Sequence, residues 1–240
     1  MLLSLTRRLV VTLDPEHVTI RSVARGWQRS AGAAQVRACA PVVDMPPWQG
    51  ALTTLQHWLE EEGGARAALE VELSDRFVRY ALVPWSDAVS GRAELAALAR
   101  VHVEALYGDI ASGWQILADM GEHGSAGVAC ALDVSLLEAL RALCGIHRLR
   151  LVALRPRFMR IINGARGDIG ADALLACVEP GQCVLASRRD GAWHSIRTVR
   201  CSSDELSAHI EREIVLQGLD TKVARHMHTG ATQAVLGSSA

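Results

Sequence analysis

The sequence predicts an α/β chain of two related lobes, each opening on a β-hairpin. Three observations carry this. Short β-branched runs alternate with segments of helical period from residue 8 to residue 217. Two acidic-Pro turns, Asp14-Pro15-Glu16 and Glu179-Pro180-Gly181, each separate a pair of such runs. The hairpins also echo one another: the acidic-Pro pair and a glycine (Gly26, Gly191) recur at an offset of 165, and a tryptophan (Trp27, Trp193) at 166.

Along the chain, 8–13 and 17–24 read as the first hairpin and 34–40 as a third strand. Leu52, Leu55, Trp58 and Leu59 then follow helical spacing in a helix over 49–62 that stops at Gly63-Gly64. Strands are predicted at 67–73 and 77–83, a helix at 92–107 ending on Gly108, and strands at 114–118 and 126–132. The helix over 134–144 opens on Ser135-Leu136-Leu137-Glu138, a capping-box pattern, and ends at Gly145. A strand at 148–154 and a helix at 156–165 follow. The second half reads as strands at 172–178, 182–187 and 193–199, then a helix at 204–217 capped by Ser202-Ser203-Asp204-Glu205 and ended by Gly218. Val235-Leu236 forms a short strand, and 237–240 reads as a frayed tail.

Composition narrows the function. The chain has 240 residues, 50% of them apolar and 21% charged, which suits a globular protein with a core of its own. Its net charge of −1 excludes the basic surplus of a nucleic-acid binder. Only one basic residue, Lys222, is a lysine, as a GC-rich coding bias would give. No run approaches the ~18 apolar residues of a membrane span. The charges of Arg7-Arg8 follow rather than precede the first apolar residues, unlike a secretion signal. The expectation is a cytoplasmic protein with no direct membrane insertion, peripheral to a membrane only through partners. The six cysteines form no CxxC pair and read as free thiols in a reducing compartment. His226-Met227-His228 reads as exposed, and no metal site is expected.

Two lobes that each open with a hairpin describe the architecture of actin, hexokinase and Hsp70. In it the two turns grip nucleotide phosphates through glycine backbone N–H groups and an aspartate near the metal. Asp14, Glu179 and Gly181 hold the corresponding places. The first turn, however, has no glycine, Pro15 has no N–H to give, and Glu16 repels phosphate; Pro180 precedes the single glycine of the second. ATP with magnesium is therefore disfavoured as a cofactor. With no GxSxG, GxxxxGK[ST] or GxGxxG motif, no catalytic residue is assigned.

The segment Leu73-Ser74-Asp75-Arg76-Phe77-Val78-Arg79-Tyr80, followed by Val83-Pro84-Trp85, stands apart. It reads as a strand, a polar turn and a second strand that Pro84 terminates. It resembles a stretch of the bacterial proteins related to PilM of type IV pili and to the cytoplasmic part of the L subunit of type II secretion. A looser similarity runs from about residue 8 to 217, through Trp114, Leu136 to Leu140, Arg155-Pro156, Asn163 and Val178-Glu179-Pro180-Gly181. The resemblance implies an actin-like (ASKHA, RNase H-like) two-lobe fold. The first lobe would cover 1–155 with a subdomain inserted at about 76–132, and a linker helix with an abbreviated second lobe would cover 156–240.

It further implies a pilus or secretion scaffold. The partner would be an inner-membrane assembly protein with a PilN-like N-terminal peptide, and indirectly an assembly ATPase, with a homodimer also open. Arg76, Arg79, Tyr80 and Trp85 are the candidate partner contacts. Asp14-Pro15-Glu16 departs from the glycine-containing first turn of PilM, and the chain reaches 240 without the transmembrane helix of the L subunit. Few elements are expected after 217. The expectation is a nucleotide-free scaffold that is not an enzyme; the alternative is a nucleotide-binding actin-like ATPase or switch of the same machinery. A stand-alone metabolic enzyme lacks a convergent acid, base and nucleophile.

Overall fold

Alternation in the first run places Leu9, Val11 and Leu13 on one face, and all three are fully buried. That face belongs to a computed structural model that describes residues 7–24, 32–63, 66–165, 167–229 and 232–236. Arg25, Gly26, Trp27 and the tail 237–240, which figure in the sequence reading, lie outside the described residues. The elements run β1 (Arg7–Leu13), β2 (His17–Ala24), β3 (Gln35–Ala38), α1 (Gln49–Glu62), β4 (Ala68–Leu73), a 3₁₀ turn (Asp75–Phe77) and β5 (Val78–Val83). Next come α2 (Arg92–Tyr107), a 3₁₀ segment (Gly108–Gly113), β6 (Trp114–Asp119), β7 (Gly127–Asp133), α3 (Val134–Ile146), β8 (Arg150–Pro156) and α4 (Arg157–Gly164). The chain continues with β9 (Ala173–Glu179), β10 (Gln182–Arg189), β11 (Ala192–Val199), α5 (Leu206–Leu216), β12 (Ala224–Thr229) and β13 (Thr232–Leu236).

Two compact units divide the chain: 1–77 with 133–157, and 78–132 with 158–240. The first is a five-stranded sheet in the order β3-β2-β1-β4-β8. β1, β2 and β3 are antiparallel, while β4 runs parallel to β1 and β8 parallel to β4. The parallel steps require crossovers, which α1 and α3 provide. α1 buries Leu52, Leu55, Trp58 and Leu59, and α3 buries Leu136, Leu140 and Leu143.

The second unit repeats the pattern in the order β11-β10-β9-β12-β13. β9, β10 and β11 are antiparallel and β12 is parallel to β9. The last strand differs: β13 is antiparallel to β12, because the ladder closes at Thr229 and Thr232 and so short a link permits only a hairpin. Between the corresponding strands β4 and β8 the chain instead passes through β5–β7 and α3. Under the sheet α5 presents Leu206, Ile210 and Ile214 to Leu174, Ala176, Cys183 and Leu185. The unit also holds the sheet β5-β7-β6, packed by Ala99 and Val103 of α2 against Ala81, Val83, Ile116, Ala129 and Ala131.

Three local features differ from the sequence expectation. The cap of α3 is Asp133, whose carboxylate accepts from the Ser135 N–H at 2.9 Å and the Ser135 hydroxyl at 2.7 Å; Ser135 is not the cap. The fifth helix starts at Leu206 rather than 204, after the Glu205 carboxylate takes the Ser202 N–H and hydroxyl. β12 is an added strand, and His226 and His228 on it are 5% and 7% exposed, not the exposed residues the sequence suggested. A strand of Arg, His and Thr carries little apolar signal; its place is set by the parallel ladder with β9.

Gly50 yields a prediction of unusual sign. In an open helix Gly→Ala gains about 0.5–1 kcal/mol. A Cβ on Gly50 would stand 2.7 Å from the Ala40 carbonyl oxygen. Gly50→Ala should therefore destabilise the protein, by about 1–3 kcal/mol as overpacked sites do, in urea unfolding followed by circular dichroism.

Candidate functional site

Three parallel strands of the first unit end on one edge of its sheet. Register sets Leu13 of β1 beside Leu73 of β4, and Leu73 beside Pro156 of β8. Asp14, Glu72 and Arg157 are thus delivered to neighbouring places at the carboxyl ends of the strands, where open α/β sheets build their sites. Arg157 joins the two acids: its Nη2 donates to Asp14 Oδ2 at 3.2 Å and its Nε to Glu72 Oε1 at 3.0 Å. The Arg157 side chain is 8% exposed and each carboxylate 17%, so the bridge is largely shielded from water. Beside it Glu16 forms an ion pair with Arg76.

Burial pushes the Asp14 carboxyl above its ordinary value, with the Arg157 charge working against it. At Glu16 burial also pulls upward, but the hydrogen bond and charge of Arg76 outweigh it and the carboxyl is held low. The first turn has few donors to offer. The Asp14 N–H is given to the His17 carbonyl at 3.0 Å and Pro15 has none. Asp14 and Glu72 hold a guanidinium, the Asp14 N–H is spent and Pro15 has none, an arrangement that does not fit a magnesium triphosphate. Among the described residues no group of three His, Cys, Asp or Glu side chains could hold a metal ion.

In the second unit, Glu179 is 4% exposed and Gln182 pairs with it across the turn. Gly181 has φ of +75°, the left-handed region its missing Cβ allows, and its carbonyl accepts the Cys201 N–H at 3.3 Å.

The segment 73–85 contributes differently from residue to residue. Arg76 is tied to Glu16. Arg79 is half-buried and donates to the Val78 carbonyl at 3.0 Å. Tyr80 lies in the core at 4% exposure, its ring edge-on to Phe158 at 5.3 Å, while its carbonyl accepts the Tyr107 hydroxyl at 3.0 Å. Trp85 is half-buried against His123, rings 4.7 Å apart, with its indole N–H on Asp87 at 2.9 Å. Of the four, Tyr80 is a packing residue in this fold.

Sequence reasoning missed Glu72 and Arg157. The signal was an acid and an arginine at the ends of strands parallel to β1, which only the register reveals. It also missed two grooves. One, of about 480 Å³, lies in the first unit between β3 and α1 and includes Arg37, His57, Trp58 and Glu61. The other, of about 490 Å³, lies in the second unit and includes Met120, Glu122, Met159 and Arg188. Finally, His226 and His228 point to one face of β12, two residues apart; both ring nitrogens of His226 and Nε2 of His228 are buried without a hydrogen-bond partner. Burial, then the charges of His226 and Arg160, hold the His228 imidazole below its ordinary value. All six cysteines carry free thiols, and among the described residues no helix is long and apolar enough to cross a membrane.

No protein-family model matches the chain, and no curated protein matches it. Solved structures do. A Bacteroides thetaiotaomicron protein with an actin-like ATPase fold and unknown function superposes with a TM-score of 0.64 at 9% identity, covering 95% of this chain and 83% of that one. The cytoplasmic domain of EpsL, an inner-membrane component of the type II secretion system of Vibrio cholerae, gives 0.60 at 10% identity, covering 94% and 83%. A chain of a PilM–PilN type IV pilus biogenesis complex gives 0.56 at 15% identity, covering 89% and 66%. The chain therefore has the actin-like fold, in agreement with the resemblance carried by residues 73–85.

The Arg157 bridge and the buried histidines each set a measurable expectation. Arg157→Ala leaves Asp14 and Glu72 shielded without their cation and should cost about 3 kcal/mol, the low end of the range for a broken buried pair. The deficit should shrink as pH falls, because the Asp14 carboxyl, which burial holds above its ordinary value, then takes up a proton and no longer needs the cation; urea midpoints across an acid pH series measure both. For His228 the folded value lies below the unfolded 6.5. The unfolded chain then binds the proton more tightly, so this contribution to stability is present above pH 6.5 and lost below it. Melting temperatures between pH 7.5 and 5 should fall, and His228→Leu should flatten the slope.

Proposed function

We propose that the protein is a cytoplasmic actin-like scaffold of a type IV pilus or type II secretion-like assembly platform. It binds an inner-membrane partner through a PilN-like cytoplasmic peptide and turns over no ATP. One observation carries the reading: the fold follows the EpsL cytoplasmic domain and a chain of a PilM–PilN complex over 94% and 89% of the chain. The bridge at the first turn supports its nucleotide-free part. A nucleotide site in this architecture needs carboxylates open to a hydrated cation and N–H groups open to phosphate. Here Arg157 holds two of the acids and the backbone donor of Asp14 is used within the turn. The assembly ATPase would be reached through the complex, and a second copy of the chain is a further candidate partner.

The test has two arms. Thermal unfolding with and without millimolar magnesium-ATP should show no shift; a site filled at 100 times its dissociation constant would add about 2.7 kcal/mol, several degrees for a protein of this size. Calorimetry with synthetic cytoplasmic tails of the host's single-pass pilus and secretion proteins should show saturable binding by one of them. A clear shift accompanied by phosphate release would replace the scaffold with a nucleotide-driven switch. Silence from every tail would remove the scaffold reading itself.

A further inference from the structure

β12 joins the second sheet by one parallel ladder, which sets His226 beside Leu175 and His228 beside Cys177 of β9. Residues two apart on a strand share a face, so both imidazoles stand on the face of Leu175 and Cys177. The opposite face, with Leu174, Ala176 and Met227, belongs to α5. Both histidines are more than nine-tenths buried. Neither ring nitrogen of His226, nor Nε2 of His228, has a hydrogen-bond partner, although each is a donor or an acceptor. Closing β12 on β9 thus strips three polar atoms of water and gives them no bond in exchange. The surroundings also oppose a positive charge. Burial acts first on His228, followed by the charges of His226 and of Arg160 on α4. On the same face β9 brings Cys177 and, two residues further along, Glu179. The register of β13 sets Val235 beside His226 and Gln233 beside His228, and neither residue titrates. Arg225 lies on the α5 side, where it bonds Glu211 and the Thr221 carbonyl.

We propose that the β12–β13 hairpin is an acid-released element: protonation of the buried histidine pair parts it from β9 while the rest of the second unit keeps its fold. In the released hairpin an imidazole meets water and binds its proton at the ordinary value of 6.5; in the closed strand His228 binds it more weakly. The released form therefore takes up the proton, and falling pH favours it. Below 6.5, release becomes up to about tenfold easier per pH unit through His228. The topology lets the hairpin part by itself. β13 pairs with β12 at the end of the sheet and leaves with it. β9 retains its antiparallel ladder to β10, and β10 its ladder to β11, so a three-stranded sheet with α5 against it remains. From the α5 side β12 is held by the solvent-facing Arg225–Glu211 pair and by Met227. Release bares the edge of β9 from Ala173 to Val178, whose backbone groups are then open to another extended segment.

Hydrogen exchange of the full chain at about pH 7.5 and 5.5, read by mass spectrometry and corrected for the intrinsic pH dependence of exchange, tests this. Peptides covering 224–229 should lose protection by about tenfold at the lower pH, while those covering α5 and β10 keep theirs. His226→Leu combined with His228→Leu puts apolar groups beside Leu175 and Cys177 and should leave 224–229 protected at both pH values. An equal loss in β10, no loss in β12, or an acid response that survives in the double variant would overturn the release. Should the double variant fail to fold, an imidazole NMR titration of the wild-type chain decides, with His228 assigned by triple resonance. Its midpoint is expected below 6.5, and one at or above that value overturns the proposal.

Discussion

The guanidinium of Arg157 between Asp14 and Glu72 is the interaction on which the first unit's functional edge depends. Parallel strands bring their carboxyl ends together, and here two of the three arriving groups are acids. Two carboxylates on a shielded edge repel one another, and burial holds the Asp14 carboxyl above its ordinary value. Arg157 answers this from β8's exit, at a separation of 85 residues from one acid and 143 from the other. A planar donor fork suits this geometry, since Nε serves Glu72 while Nη2 serves Asp14 and one cation meets two anions directly. The edge is thereby a structural joint that ties the ends of β1, β4 and β8 together.

The two sheets show how one plan takes different ends. Both run antiparallel through three strands and then parallel, and the acidic-Pro turns sit at equivalent hairpins. The first turn is polar and braced by Arg157; the second buries Glu179 and turns on Gly181. Between β4 and β8 the chain runs out through β5–β7, which belong to the second unit, and back through α3, whereas β12 passes directly to β13 by a hairpin. A direct link fixes the last strand as antiparallel, so the loss of a crossover and the change of strand direction are one event.

What the sequence disclosed follows the range of the forces involved. α1 and α2 were readable to the residue because apolar period and a terminal glycine are local signals; Gly63 and Gly108 indeed take positive φ. The first hairpin was readable for the same reason. The α3 cap was misplaced by two residues because serine and aspartate cap alike, and only the hydrogen bonds show that Asp133 accepts while Ser135 donates. β12 and the Arg157 bridge were not readable, since both are set by partners distant in sequence. The fold and segment 73–85 were therefore visible early, and the chemistry of the first turn only in part: Pro15 and Glu16 announced what the turn lacks, but nothing local announced what Asp14 holds instead.

A closed turn and an open groove are physically consistent in one protein. Nucleotide switches keep unpaired acids and bare N–H groups ready, at a cost in stability, because binding must later satisfy them. Once Arg157 satisfies the acids, that demand on the first unit disappears. The second unit's groove is held in a different way: the turn, arginine and tryptophan of the β10–β11 hairpin are fixed by bonds within that unit, while Met120 and Met159 leave its floor compliant.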